Sequence, residues 1–240
     1  MKIILCDNYD EISACAADIV KATVKAKPTA ILGLATGSTP EGMYRRLIQD
    51  YENGELDFSS VETFNLDEYY PLSAENEQSY HYYMNDKLFR HINVPSDKIH
   101  ILNGEASDPE AECKAYGDAV SAAGGIDLQI LGIGENGHIG FNEPDEYLHA
   151  DVHKTGLTES TVNANARFFA TRDEVPRYAL TVGIGDILRA KKIILLASGA
   201  KKAAAVRALL DDRITTQNPA SLLKVHSDVV LICDRAAYGE

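Results

Sequence analysis

The chain has little of what marks a secreted, membrane-bound or nucleic-acid-binding protein. Its four cysteines, Cys6, Cys15, Cys113 and Cys233, are scattered, with no CxxC pair. Neither a zinc cradle nor a disulfide framework is therefore expected. Positive charge is scarce, with 23 Lys and Arg against 36 Asp and Glu, a net −13. Nucleic-acid binders need clustered Lys and Arg for phosphate contacts, so that class is set aside. A small phosphorylated ligand is not excluded, because one local basic pocket suffices to hold it. Long apolar runs are missing too. The apolar run in the opening MKIILCDNYD stops at Asp7, short of a signal-peptide core. Nothing approaches the ~20 apolar residues of a membrane span, so a cytoplasmic protein is expected. No internal repeat, low-complexity tract or Pro/Gly/Ser linker appears, which favours residues 1–240 as a single domain.

What is present is an ordinary globular composition, 45% apolar and 25% charged. Short runs rich in β-branched residues alternate with helical stretches. Strands are expected at Lys2–Cys6, Ala30–Leu34, Val61–Phe64, Ile126–Leu131, Ala179–Val182, Lys192–Ala197 and Asp228–Cys233. Glu11–Lys25 carries Ile12, Cys15, Ala16, Ile19 and Ala22 at helical spacing, and Pro40 opens a helix running through Arg45–Ile48. Further helices are expected over Tyr80–Phe89, Pro109–Ala122 and Lys201–Leu210. This alternation predicts an α/β fold, a mainly parallel sheet with helices on both faces. Ligands of such sheets bind beyond the carboxyl ends of the strands, so the loops after strands are where chemistry belongs.

Three such loops stand out. Gly33-Leu-Ala-Thr-Gly-Ser-Thr-Pro40 is rich in small residues whose N–H groups can approach an anion at a helix start. No Lys follows its second glycine, so it is not a Walker A loop. Alone it could equally be a strand-to-helix turn with Ser or Thr as N-cap. Phe64-Asn-Leu-Asp-Glu-Tyr-Tyr-Pro71 sets Asp67 and Glu68 among aromatics, a setting for a raised pKa and a general base. Alone it also reads as a solvated acidic loop. Gly132-Ile-Gly-Glu-Asn-Gly-His-Ile-Gly-Phe-Asn-Glu-Pro144 spells GxGxxG, but His138, Gly140 and Pro144 make a poor helix where a dinucleotide fingerprint needs one. It leaves His138, Glu143 and Asn136 in one glycine-rich bend, a combination that can orient an imidazole and set its proton affinity.

Two cations lie elsewhere, Arg167 in Asn163–Phe169 and Lys202 in Ser198–Ala203. Arg offers phosphate a bidentate fork and Lys a point charge, although either could be a solvated surface cation. His149, Asp151 and His153 would share one face of a strand, but without further ligands at useful spacing no metal is expected.

Together these segments resemble the glucosamine-6-phosphate deaminase (isomerase) family. The resemblance rests on LGLATGSTP (32–40), FNLDEYYPL (64–72), LGIGENGHIGFNEP (131–144), NARFF (165–169), PRYALTVG (176–183) and SGAKKA (198–203). It implies a modified Rossmann-like α/β sheet and conversion of glucosamine 6-phosphate and water into fructose 6-phosphate and ammonia. By resemblance, Asp67 moves a proton from C2 to C1 of the opened sugar, and His138 shuttles the proton that opens the ring. Asn136 and Glu143 match the positions that orient His138. Gly37, Ser38, Thr39, Arg167 and Lys202 match the phosphate-binding elements. No cofactor or metal is implied, and no nucleic-acid or membrane partner. A monomer is compatible with the resemblance, with self-association left open.

Many longer members carry Asp where this chain has Asn136, which would leave Glu143 more of the electrostatic task. The chain ends soon after Cys233, without the longer tail of hexameric, allosterically activated members, so regulation by N-acetylglucosamine 6-phosphate is not carried over. The nearest rival is 6-phosphogluconolactonase, which shares a GHxx loop but typically shows a DER-like segment and needs no C2 base. A non-catalytic sugar-phosphate sensor would be expected to lose Asp67 or His138, and both are present.

Overall fold

Apolar runs with no polar face fold as strands buried on both sides, and two of them form the middle of this protein. The computed structural model describes residues 1–240. Its strands are β1 (Lys2–Cys6), β2 (Ile31–Leu34), β3 (Glu62–Asn65), β4 (Asp67–Tyr70), β5 (Ile99–His100), β6 (Leu128–Gly132), β7 (His153–Gly156), β8 (Tyr178–Thr181), β9 (Lys192–Ala197) and β10 (Val229–Asp234). Its α-helices are α1 (Tyr9–Ala26), α2 (Glu41–Glu52), α3 (Tyr80–Lys87), α4 (Pro109–Ala122), α5 (Glu159–Asn165), α6 (Ile184–Leu188), α7 (Ala203–Leu210) and α8 (Arg235–Tyr238). Seven strands form one parallel sheet in the order β1-β10-β9-β6-β2-β3-β5. Successive side chains of Ile193–Ala197 and of all of β10 are buried although they point to opposite faces. Both faces are therefore covered.

Helix starts follow their caps. Asn8 accepts from Glu11 N (3.0 Å), and α1 then buries Ile12, Ala16, Val20 and Val24 along one stripe. Asp108 accepts from Glu110 N and Ala111 N ahead of Pro109, an N-terminal position where proline loses no helical bond. The helix expected to reach Phe89 ends at Lys87 and passes into a 3₁₀ turn, Phe89–His91. Lys201 and Lys202 lie in a 3₁₀ turn that precedes α7.

A second sheet, β4-β8-β7, is antiparallel. Its outer strands were not expected. The segment read as a loop at Phe64–Pro71 is instead two strands joined by Leu66, with Asp67 opposite Thr181 of β8. Of the His149, Asp151 and His153 trio, only His153 is in a strand. The rings of His149 and His153 stack 4.2 Å apart, and the Asp151 carboxylate turns to Arg189 at 3.1 Å.

The parallel sheet reverses its winding between β2 and β6. From β2 the chain moves through β3 to β5; it then returns to β6 and continues through β9 to β10. The carboxyl ends of β3, β2, β6 and β9 thus lie side by side around the switch point where ligands of such sheets bind.

Ile194 is fully buried on β9, between Ile130 and Val230. Ile194→Ala should cost about 2–5 kcal/mol in denaturant unfolding, whereas Ile3→Ala, 41% exposed on the edge strand β1, should cost about 1 kcal/mol or less. Equal losses would show that the core is not centred on β9.

Candidate active site

Each of the four strand ends carries one part of a cleft of ≈ 810 Å³. Asp67 follows β3, residues 36–39 follow β2, His138 follows β6, and Lys202 follows β9. Arg167 completes the lining from a 3₁₀ turn after α5. The fold therefore brings the residues expected from sequence into one cleft, except Glu143, which stands behind His138.

After β6 the chain turns tightly instead of starting a helix. Gly134 N donates to His138 O (2.9 Å), which folds the imidazole back over the Gly134 backbone. A Cβ at Gly134 would lie 2.5 Å from the ring, so only glycine leaves the ring its place. His138 Nδ1 lies 3.2 Å from Glu143 Oε2, and Asn136 Nδ2 donates to the same oxygen at 2.6 Å. Asn136 Oδ1 accepts from His138 N (3.2 Å). Asn136 therefore holds both ends of the His–Glu pair. The other oxygen of Glu143 accepts from the Thr161 hydroxyl on α5. Burial alone would raise the Glu143 pKa; the hydrogen bond and charge of His138, with Thr161 and Asn136, outweigh it and bring the group down to about 2. Glu143 stays ionised behind the ring.

Asp67 has the opposite environment. It is 7% exposed, and burial followed by the charge of Glu68 pushes its carboxyl up to about 8. No hydrogen bond holds its oxygens. Glu68 instead turns away, accepting from Tyr69 N (2.8 Å), Tyr80 N (2.9 Å) and His81 N (2.9 Å), with His81 Nδ1 at 3.0 Å. Gly140 comes close from the other side, where a Cβ would sit 3.0 Å from Thr181 Oγ1 and 3.8 Å from Asp67 Oδ2. Tyr69, Tyr80, Phe141 and Phe169 form an aromatic cluster beside it, with Tyr69 and Tyr80 centroids 4.9 Å apart. Two carboxylates, Asp67 in the cleft wall and Glu143 behind His138, are thus pushed to opposite proton affinities, a pattern that separates acid and base tasks.

Of the cleft's cations, Lys87 pairs with Asp86 at 2.9 Å, whereas Arg167 and Lys202 have no carboxylate within ion-pairing distance. Burial, with the nearby charges of Arg167 and Lys201, lowers the Lys202 pKa against the pull of Glu135. The Arg167 guanidinium lies over the Phe168 ring at 4.7 Å. An unpaired, half-buried Lys202 beside an exposed, unpaired Arg167 suits an anionic ligand. Sequence reasoning missed the residue that sets the Lys202 turn. Asp234, at the end of β10, accepts from Ser198 Oγ (2.6 Å), Gly199 N (3.0 Å) and Ala237 N (2.7 Å). The available signal was a carboxylate at the carboxyl end of the strand next to β9. Thr161 was missed as well; nothing in its local sequence points toward Glu143.

Asp67 links the site to stability. Folding raises its pKa from near 3.9 to about 8, so the folded chain binds this proton more tightly. Stability from this group is fully present below about pH 4 and is lost as pH rises through about 8. Asp67→Asn removes the penalty. Its stability relative to the native chain should rise between about pH 4 and 8, by at most about 6 kcal/mol. Denaturant unfolding across pH checks this, and a pH-independent difference would contradict the burial argument.

Comparison with known proteins agrees with the geometry. A family profile described as "Glucosamine-6-phosphate isomerases/6-phosphogluconolactonase" matches residues 8–232. A glucosamine-6-phosphate deaminase of Thermoanaerobacter sp. (strain X514) is 55% identical over 237 residues, 99% of this chain and 94% of the relative. That of Clostridium perfringens (strain 13 / Type A) is 52% identical, over 99% of this chain and 98% of its own. A solved structure described as a monomeric glucosamine-6-phosphate deaminase of the NagB superfamily superposes with a TM-score of 0.97 at 50% identity, over 99% of both chains. The 6-phosphogluconolactonase of Trypanosoma brucei shares the fold, with a TM-score of 0.80 at 21% identity over 98% of this chain and 97% of its own. With the match running almost end to end, this chain belongs to the glucosamine-6-phosphate isomerase/6-phosphogluconolactonase family.

Proposed function

We propose that residues 1–240 form one catalytic domain, a glucosamine-6-phosphate deaminase. It couples an aldose–ketose isomerisation to deamination, converting glucosamine 6-phosphate and water into fructose 6-phosphate and ammonia in amino-sugar catabolism. One observation carries this reading: a Glu143-anchored imidazole and a desolvated carboxylate free of hydrogen bonds line the same cleft.

The steps follow from these groups. The Gly37–Thr39 turn, Lys202 and Arg167 take the phosphate, whose binding fixes the sugar against both proton-transfer residues. His138 takes the hydroxyl proton of C1 and returns a proton to the ring oxygen, which opens the pyranose. Glu143 stabilises the imidazolium formed in between, and Asn136 keeps the ring oriented. Asp67 then removes the C2 proton, the C1 oxygen takes a proton from the C2 ammonium, and a neutral enolamine forms. Asp67 returns its proton to C1, giving the C2 ketimine. Water adds to C2, the C–N bond breaks, and ammonia leaves. The residues named need no redox cofactor for this sequence.

Lactone hydrolysis is the competing reading, and Asp67 argues against it. Water attacks an acyl carbon there and no C–H bond is broken, so lactone hydrolysis has no requirement for a base at C2, whereas isomerisation does. The deaminase names of relatives at 52–55% identity point the same way. Likeness to a monomeric deaminase supports a monomer as the working assembly, and the reading sets the reaction in the cytoplasm.

Ammonia release from glucosamine 6-phosphate, with no hydrolysis of the phosphogluconolactone, is the expected result; the reverse pattern would sink this reading. Asp67→Asn should abolish isomerisation while phosphate affinity stays nearly intact, and retained solvent exchange at C2 would rule out Asp67 as the base. His138→Gln should slow the closed pyranose by about 10²–10⁴-fold and an open-chain analogue far less. Single-turnover kinetics on both forms checks this, and equal slowing would remove ring opening from His138.

A further inference from the structure

The Thr36–Thr39 turn is held from behind by phenol groups that none of the motifs identifies. The N–H groups of Thr36, Gly37, Ser38 and Thr39 have no acceptor in the protein, and all four residues line the cleft. The carbonyls on the opposite side of the turn are occupied. Tyr44 Oη donates to Ala35 O (2.5 Å), Tyr83 Oη to Gly37 O (2.6 Å) and Tyr9 Oη to Ser38 O (2.8 Å). The Tyr9 hydroxyl also accepts from Gly42 N (2.8 Å), tying the turn to the first residues of α2.

In a trans peptide the carbonyl of one residue and the amide of the next point to opposite sides. Fixing Ala35 O, Gly37 O and Ser38 O therefore aims the N–H groups of Thr36, Ser38 and Thr39 the other way. Gly37 makes the reversal possible at φ +96°, a conformation that strains any side-chain-bearing residue. The phenols come from three different helices, α1, α2 and α3. The turn is thus preset by tertiary packing instead of being organised by the anion.

We propose that Tyr9, Tyr44 and Tyr83 are positioning residues that preset these amides for the phosphate of the substrate. The assignment rests on the reading of this turn as the phosphate site. Tyr83 lines the cleft, so its hydroxyl alone would leave direct contact as an explanation. Tyr9 and Tyr44 do not line it, and any effect they have must pass through the turn.

The test is titration of the whole chain with inorganic phosphate by calorimetry, alongside steady-state kinetics. Tyr9→Phe and Tyr44→Phe should each weaken phosphate binding about threefold to tenfold, the range of one neutral hydrogen bond. KM for the sugar phosphate should rise in step, with the loss in kcat/KM residing in KM. Two variants from separate helices keep the test open if one misfolds. Unchanged phosphate affinity in both, or a change confined to Tyr83→Phe, would overturn the assignment. Phosphate binding that weakens in Tyr9→Phe while the native chain releases no ammonia would support the tyrosines and sink the deaminase reading. Ammonia release with phosphate binding indifferent to Tyr9→Phe would do the opposite.

Discussion

The site depends on how two neighbouring buried carboxylates divide their surroundings. Asp67 and Glu68 are 7% and 1% exposed at the start of β4. Two unsatisfied charges there would be prohibitive. Glu68 resolves the conflict by capping α3, with two helix-start amides, its neighbouring amide and the His81 ring around it. A carboxylate at a helix N-terminus is favoured by the free N–H groups and the dipole. The same contact fixes α3, and with it Tyr80 in the aromatic cluster and Tyr83 behind the 36–39 turn. Asp67 is left with burial and repulsion only, so its proton affinity is set by the structural role of its neighbour.

The rest of the site is delivered by the sheet. Four adjacent parallel strands end at one edge, and three of the exits are each shaped by one residue. Gly37 reverses the turn after β2, Gly134 admits the His138 ring after β6, and Asp234 holds Ser198 and Gly199 after β9. Orientation comes from hydrogen bonds between strand exits, as the bond from Asp234 on β10 to the β9 turn illustrates. Rigid elements position such groups better than free loops can.

This explains what could be read from the sequence. Within the parallel sheet, β2, β6, β9 and β10 are largely apolar runs buried on both faces, and their positions follow directly from composition. β4 (DEYY) and β7 (HKTG) have no such signature, because their places are set by backbone pairing to β8. A polar four-residue segment says nothing of that partner. The glycine pattern at 132–137 was legible as a turn, since His138 and Pro144 disfavour a helix, and no helix forms there. Asp67, His138 and Lys202 were visible as chemical groups after strands. The phenols of Tyr9, Tyr44 and Tyr83 were not, because each acts on a carbonyl 9 to 46 residues away, and a carbonyl leaves no trace in sequence.

The proton affinity of Asp67 also bears on which substrate the cleft can use. With a pKa of about 8, the carboxyl is mostly protonated at neutral pH in the empty site, and a protonated acid cannot take a proton from C2. Glucosamine 6-phosphate brings its own remedy, because its C2 nitrogen is an ammonium bonded to the carbon under attack. A unit positive charge about 4 Å away is worth about 4 kcal/mol at an effective dielectric of ~20. That is about three pK units, enough to return the carboxyl to the ionised form as the sugar binds. Glu68 cannot supply this, since its charge acts in the other direction. A phosphogluconolactone carries no cation at C2, so in the same cleft Asp67 would keep its proton. Desolvation of Asp67 thus predicts a preference for substrates that carry a cation at C2.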